Sequence, residues 1–387
     1  MTRPVLRFPD DLREIFARRY RNQHREWLAG AGTWPLVTPL GCPTEAEAGL
    51  QPDAVRDWVA AWRRWQGPGE LVWCERRWRT LGLQSVPEKL VLEDARSLAL
   101  WIEEEPSWNR AKSRYRRFAS RWPALEIRLP RYFDALAGYS DVDTLRLEAL
   151  LAWIETNPHS NLYPRQIPIA GMDTKWLEAR MPLVADLVAA LQADDTRTLG
   201  FHQRCGLKEA PQVLRVRLLD PSLRERAGGL GDIAAPIGEI AALRLPVSRV
   251  YIVENVQTGL CFGDHPGSVV FMGLGYGVGA LARLPWLVGA ECVYWGDLDT
   301  HGFAILNAAR TCLPNVVSAL MDESTLLGNR DFWVEEKDQC GAPDLPSLTD
   351  AERSVYQGLK QQRWGRNVRL EQERIAWNEA WSVLAGG

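Results

Sequence analysis

Only five of the 387 residues are histidine and seven are cysteine. The cysteines, at positions 42, 74, 205, 261, 292, 312 and 340, form no C-x-x-C pair and join no histidine, so neither a disulfide framework nor a structural zinc site is indicated. That usage suits a reducing cytoplasm. A signal h-region is lacking: "MTRPVLRFPDDLREIF" reaches acidic residues before any sufficient apolar stretch. The most apolar later window, Val269 to Trp295, is broken by Arg283, Pro285 and Glu291, so no membrane span is expected. Internal repeats and low-complexity tracts are missing too. Net charge is only −3, which argues neither for nor against a polyanionic partner.

What is present describes a globular chain of two or three domains, 46% apolar and 25% charged. Charge is unevenly spread. Residues 1–130 hold 22 Lys and Arg against 17 Asp and Glu, which makes the front the side suited to a polyanion. Ten of the 18 tryptophans also lie there, often beside arginine, as in "WVAAWRRWQ" and "VWCERRWRTLG". Helices whose indole rings fill a core under arginine stems explain this pattern. An Arg/Trp surface for phosphates or a partner protein is the competing reading.

Residues 1–130 read as a helical arm and candidate partner-binding region. Asp10 and Asp11 are cap candidates, "TEAE" at 44–47 fits a capping box, and Pro106, Pro123 and Pro130 divide the later helices. Arg76 to Leu100 carries no clear period. In residues 131–240, "DTLRLEALLAWIETN" has helical spacing. Pro164, Pro168 and Gly171 then break the chain, Asp173 or Thr174 caps a second helix to about Leu191, and "QVLRVRLLD" reads as a strand. That layout is compatible with a winged-helix domain whose second helix offers Lys175 and Arg180 to DNA, and equally with a plain helical connector.

Residues 241–387 change character. "RVYIVE", "SVVFMG" and "ECVYWGD" are short, continuous β-branched and aromatic runs, with "YGVGALARLPWL" and "DTHGFAILNAART" as helices between and after them. Such alternation predicts a mostly parallel sheet buried on both faces, with its crevice at the carboxyl ends of the strands. The chain is thus expected to be a multidomain α/β and α+β protein. Glu254, Asp297 and Asp299 all fall at strand ends.

Strand alternation puts Asp297 and Asp299 on one side with Leu298 turned away, and a neighbouring strand can bring Glu254 to face them. Three hard oxygen donors suit Mg²⁺, and Mn²⁺ is the natural substitute. Without a cation their repulsion raises at least one pKa. A dinucleotide fold competes: Gly275, Gly277 and Ala280 satisfy G-x-G-x-x-A between two strands, with an acid about 20 residues on. The preceding strand with Glu254, and the second acid plus Gly302, exceed what a ribose clamp requires.

Glu254 at a strand end, a glycine turn after the next strand, and "DLDTHG" as D-x-D-x-x-G after a third resemble the Toprim domain of topoisomerases, primases and small nucleases. More narrowly, "VYIVENVQTGLCF", "YWGDLDTHGFAILNAAR", "RLEQERIAW" and "LYPRQIPIAGMDTKWLE" resemble JetD, the nuclease family of the Wadjet plasmid-defence system, itself related to the A subunit of topoisomerase VI. The resemblance covers roughly residues 140–380. It implies an N-terminal arm, a central winged helix, a C-terminal Toprim domain, a homodimer, and a condensin-like SMC complex delivering double-stranded circular DNA. It assigns Glu254 to metal binding or acid–base work and Asp297 and Asp299 to Mg²⁺ ligation.

Metal-dependent hydrolysis of DNA is the expected function, with topoisomerase-like transesterification, a nicotinamide oxidoreductase and a silent DNA-binding subunit as rivals. For the transesterification, Tyr163 lies in the right region but outside the topoisomerase pattern. Glu371 and Glu373 are candidate further carboxylates for the metal, or a solvated helix end. His301 is a candidate phosphate contact, or a locally bonded helix residue. Asn255 and Thr258 position Glu254 or shape its turn. Arg165 joins Lys175 and Arg180 as a candidate DNA contact.

Overall fold

The computed structural model describes residues 6–193, 198–313 and 315–386. The chain forms two compact units, residues 1–210 and 211–387. In the first, three antiparallel strands, β1 (Leu36–Pro39), β2 (Glu70–Trp78) and β3 (Gly82–Leu92), lie in the order β1-β3-β2 among helices such as Pro9–Leu28, Pro52–Arg64 and Glu105–Arg121. The capping box at Thr44 forms, while Asp11 accepts the Phe8 N–H from inside the first helix at 2.7 Å. The second Trp/Arg stretch, which runs into the part that carries no clear period, is strand β2 and not one more helix of the arm. It pairs with β3 across a turn that ends on Gly82 at φ +74°, a left-handed conformation glycine adopts without strain.

Tryptophan fills this core. Trp58 and Trp62, one turn apart, are both buried and both donate their indole N–H to the Arg7 carbonyl at 2.9 Å. Trp27, Trp101, Trp108 and Trp122 are buried with them. Phe118, Trp122, Leu125, Leu129 and Phe133 belong to one cluster, so residues on either side of 130 share a single core. The helix Asp141–Thr156 ends before the expected break. Beyond that break the chain forms two helices rather than one: Thr174–Glu178, capped by Asp173, and Met181–Leu191, with Pro182 in its first turn, where a missing N–H costs nothing.

The second unit is built on six strands in the order β5-β4-β7-β6-β8-β9. β6 (Arg249–Val253) runs parallel to both β7 (Ser268–Met272) and β8 (Glu291–Trp295), and β8 is parallel to β9 (Val316–Ser318). Each of the three predicted strands is present. β6 and β7 are almost wholly buried, as continuous apolar runs require. β4 (Val213–Leu218) and β5 (Asp232–Pro236) extend the sheet antiparallel beyond β7. The strand expected to follow the helix pair as part of a 131–240 domain therefore pairs inside this sheet. Its burial alternates, as it does on a strand near the sheet's margin with one face less covered. The glycine-rich stretch after β7 is a 3₁₀ segment, Gly275–Arg283, not an α-helix. β10 (Val334–Glu335) and β11 (Val368–Arg369) form a separate two-residue ribbon.

Candidate active site

The register Val253↔Trp295 sets the ends of β6 and β8 side by side, so Glu254 follows one strand where Asp297 and Asp299 follow its neighbour. Glycine makes the approach possible. A Cβ on Gly296 would run into Glu254 Oε1, and one on Gly302 would run into the Asp297 carbonyl oxygen. The buried Tyr294 hydroxyl donates to Glu254 Oε1 at 2.5 Å and lies 3.1 Å from the Gly302 carbonyl. Asp299 is the N-cap of the helix Thr300–Cys312, its Oδ1 accepting the Gly302 N–H at 2.7 Å. Leu298 turns into the core, and its backbone pairs with Leu370 through two hydrogen bonds of 2.9 and 3.1 Å.

The positive group between the two aspartates is Arg369. Its Nη2 stands 2.6 Å from Asp297 Oδ2 and its Nε 3.1 Å from Asp299 Oδ2. The segment carrying it straps the motif. The Gln372 N–H donates to Asp297 Oδ1 at 2.7 Å, and its side-chain amide donates to the Trp295 carbonyl at 2.6 Å. A fourth carboxylate arrives just after the partner strand of the ribbon: Glu336, 2% exposed, accepts from the Thr300 N–H and hydroxyl through Oε1 at 3.2 and 2.5 Å. Its Oε2 is buried without a hydrogen-bond partner.

Burial pushes the Glu254 carboxyl up to about 7; the Tyr294 hydrogen bond opposes this and the charges of Asp297 and Asp299 add to it. Burial also raises Asp299 to about 6, with Glu336 and Asp297 reinforcing the shift against the Gly302 N–H and Arg369. Two carboxylates, Asp297 and Asp299, thus share one guanidinium, and burial first, then the neighbouring negative charges, makes Glu254 and Asp299 resist ionisation.

Hard oxygen donors with surplus negative charge, and one buried carboxylate oxygen left unpartnered, fit a small divalent cation. Glu254, Asp297, Asp299 and Glu336 would hold it. Among the described residues no three such groups converge as they stand. The guanidinium fills the gap between the two aspartates instead.

His301 begins the same helix; its Nε2 faces the Asp338 carbonyl at 2.9 Å, which places the proton there and leaves Nδ1 to accept from the Tyr276 hydroxyl at 2.6 Å. Glu373 is exposed and receives the Asn255 amide N–H, so it ties the 372–374 turn to the end of β6. Asn255 caps the helix Val256–Cys261 through the N–H groups of Gln257 and Thr258. Glu371 pairs with Arg374 at 3.0 Å and lies 3.8 Å from Arg369. In the first unit, Arg165 and Lys175 are exposed or partly so. Arg180 is turned inward: its guanidinium lies 4.5 Å from the Trp176 ring centroid and 4.8 Å from that of Tyr139, and pairs with Asp143 at 3.7 Å. The Lys208 ammonium lies 4.8 Å over the Tyr163 ring.

Sequence reasoning missed Glu336, Arg369, Tyr294 and Gln372. Only Tyr294, two residues before Gly296 on a predicted strand, carried a local signal. The dinucleotide reading meets a topological obstacle: β6 lies between β7 and β8, whereas a Rossmann unit pairs the strands that flank its glycine turn.

No protein with a curated description matches the chain. Two family models do. Residues 9–189 match the family described as an uncharacterized protein conserved in bacteria, N-terminal (DUF3322), and residues 206–384 match Wadjet protein JetD, C-terminal. The second match contains every carboxylate of the site and identifies residues 206–384 as a C-terminal domain of the JetD family.

Proposed function

We propose that this chain is a divalent-cation-dependent DNA endonuclease of the Wadjet defence system, hydrolysing circular double-stranded DNA brought to it by a condensin-like SMC complex. The match to the JetD C-terminal family supports the role in defence. The chemistry rests on one observation above all: Glu254, Asp297 and Asp299 follow the carboxyl ends of two adjacent parallel strands. The 211–387 unit is then a Toprim domain, and the winged-helix role falls to the helices of residues 141–191, with Arg165 and Lys175 toward phosphates. A homodimer with one such site per subunit cuts both strands.

Mg²⁺ or Mn²⁺, once bound, supplies Lewis-acid polarisation of the phosphate and charge for the leaving 3′ oxygen. Asp297 and Asp299 hold their carboxylates in place through the Gln372 and Gly302 N–H groups. Glu254, oriented by Tyr294 and titrating near neutrality, takes the proton of the attacking water. Burial of Trp295, Tyr294 and Leu298 behind these carboxylates limits water on that side.

Plasmid incubated with the protein, its motor partners and Mg²⁺, then resolved with and without protease treatment, tests water as nucleophile. Free linear DNA in both lanes is the expected result, with Tyr163→Phe as active as wild type. DNA that enters the gel only after proteolysis carries covalent protein and requires a tyrosine nucleophile instead.

A further inference from the structure

Each aspartate of the D-x-D pair has its Oδ1 fixed by a backbone N–H, from Gln372 for Asp297 and from Gly302 for Asp299. The two remaining oxygens, both Oδ2, face the Arg369 guanidinium. Backbone amides thus orient both carboxylates toward a single position, and an arginine holds it. We infer that Arg369 is the built-in competitor of the metal: it occupies the place a divalent cation takes between Asp297 and Asp299, and has to move before the ion binds. This inference rests on the metal reading above.

Three further observations support it. The guanidinium fills the gap between the two Oδ2 oxygens, so a dication seated in that gap displaces it sterically, and the like charges of the two add to the exclusion. Next, the grip on Asp299 is incomplete: Nε is near enough for an ion pair, yet it is without an aligned hydrogen-bond partner. Last, an alternative anion waits outside. Glu371 Oε1 lies 3.8 Å from Nη2, and both side chains are about one-third exposed, so a rotation of the arginine stem exchanges the buried Asp299 and the half-buried Asp297 for a more exposed glutamate.

The placement also explains why the ribbon of β10 and β11 exists. It is only two residues long on each side, yet it brings Glu336 and Arg369 to the same end of the helix Thr300–Cys312. One of these groups adds a donor oxygen for a cation, and the other keeps the cluster neutralised until the cation arrives. Removing the arginine leaves Asp297 and Asp299 without their shared counter-charge.

Mn²⁺ titration of the full chain by calorimetry, with wild type, Arg369→Gln and Arg369→Lys compared, tests this directly. Arg369→Gln is expected to bind Mn²⁺ about tenfold more tightly than wild type, the scale of a typical coupling between two bound groups. It is also expected to melt below wild type in EDTA and to gain more from saturating Mn²⁺, since a ligand stabilises by its occupancy of the folded state. Arg369→Lys, whose single ammonium spans fewer contacts, shifts the same way by a smaller factor, and it carries the comparison if the glutamine variant does not fold. Unchanged or weakened Mn²⁺ affinity in the variants overturns the inference, because a purely structural arginine lowers the melting temperature without tightening the ion. Absence of Mn²⁺ binding in wild type and variants alike removes the metal reading itself, and this inference with it.

Discussion

Glu254→Gln, Asp297→Asn and Asp299→Asn are each expected to lower DNA cleavage by roughly a thousandfold or more, the scale seen when a charge-stabilising or proton-transferring group is deleted from an active site. DNA binding should stay near wild type, because the candidate phosphate contacts Arg165 and Lys175 are in the other unit. Cleavage timed against binding by gel shift checks this. The three substitutions differ in their side effects. Asp299 caps the helix Thr300–Cys312, so its asparagine form, which can still accept the Gly302 N–H, is the informative variant; alanine would add a cap loss of about 1 kcal/mol. Asp297→Asn keeps an acceptor for Gln372 while removing the charge that faces Arg369. A variant that cuts at the wild-type rate would remove that carboxylate from the chemistry.

The same Glu254→Gln change should stabilise the cation-free protein at neutral and higher pH. The sign comes from the direction of the shift. A carboxyl raised from 4.5 to about 7 holds its proton more firmly when folded than when unfolded. Its favourable contribution is therefore complete below about 4.5 and disappears as the pH climbs through 7. Asp299, raised from 3.8 to about 6, acts in the same direction in a slightly lower window. Above pH 7 the forced ionisation of Glu254 amounts to on the order of 3 kcal/mol relative to its protonated form. In EDTA the wild type should lose stability between pH 5 and pH 8, and Glu254→Gln should flatten much of that slope.

Glu352 does not mask the effect. It is paired with Arg310 and Ser318 and lowered to about 2, so its contribution is lost only as pH falls below the ordinary carboxylate range. Denaturant melts at three pH values measure the difference. A wild type whose stability rises across that interval would mean that the cluster is compensated by groups other than those named.

Legibility in the sequence depended on whether a signal was local. β6, β7 and β8 could be read because each is a run of five residues buried on nearly every position, and such runs look the same wherever they occur. Glu254, Asp297, Asp299 and Gly302 followed from those strands, since a strand end fixes where its next residues go. Arg369 and Glu336 were not legible. They sit on or beside strands of two residues that lie far apart in the chain, and no period exists in a two-residue strand. The two neighbouring aspartates, with no basic residue near them in sequence, find their counter-charge 72 residues downstream.

The β2–β3 hairpin was hidden for another reason. In "VWCERRWRT" the tryptophans and arginines fit an amphipathic helix as well as a strand, and only pairing with β3 decides between them. β4 reads as a strand from its sequence, yet it pairs with β5 and β7 and not with the helices before it. Sequence neighbours predict pairing less well than burial does: Leu214, Val216 and Leu218 are wholly buried in the second core.

The central claim is that these carboxylates cut DNA only with a divalent cation. Circular plasmid incubated with the wild-type protein and its motor partners, at increasing Mg²⁺ and in EDTA, tests it most directly. Linear product that appears with Mg²⁺, vanishes in EDTA and returns when Mn²⁺ is added is the expected result; linearisation that proceeds unchanged in EDTA would contradict the account.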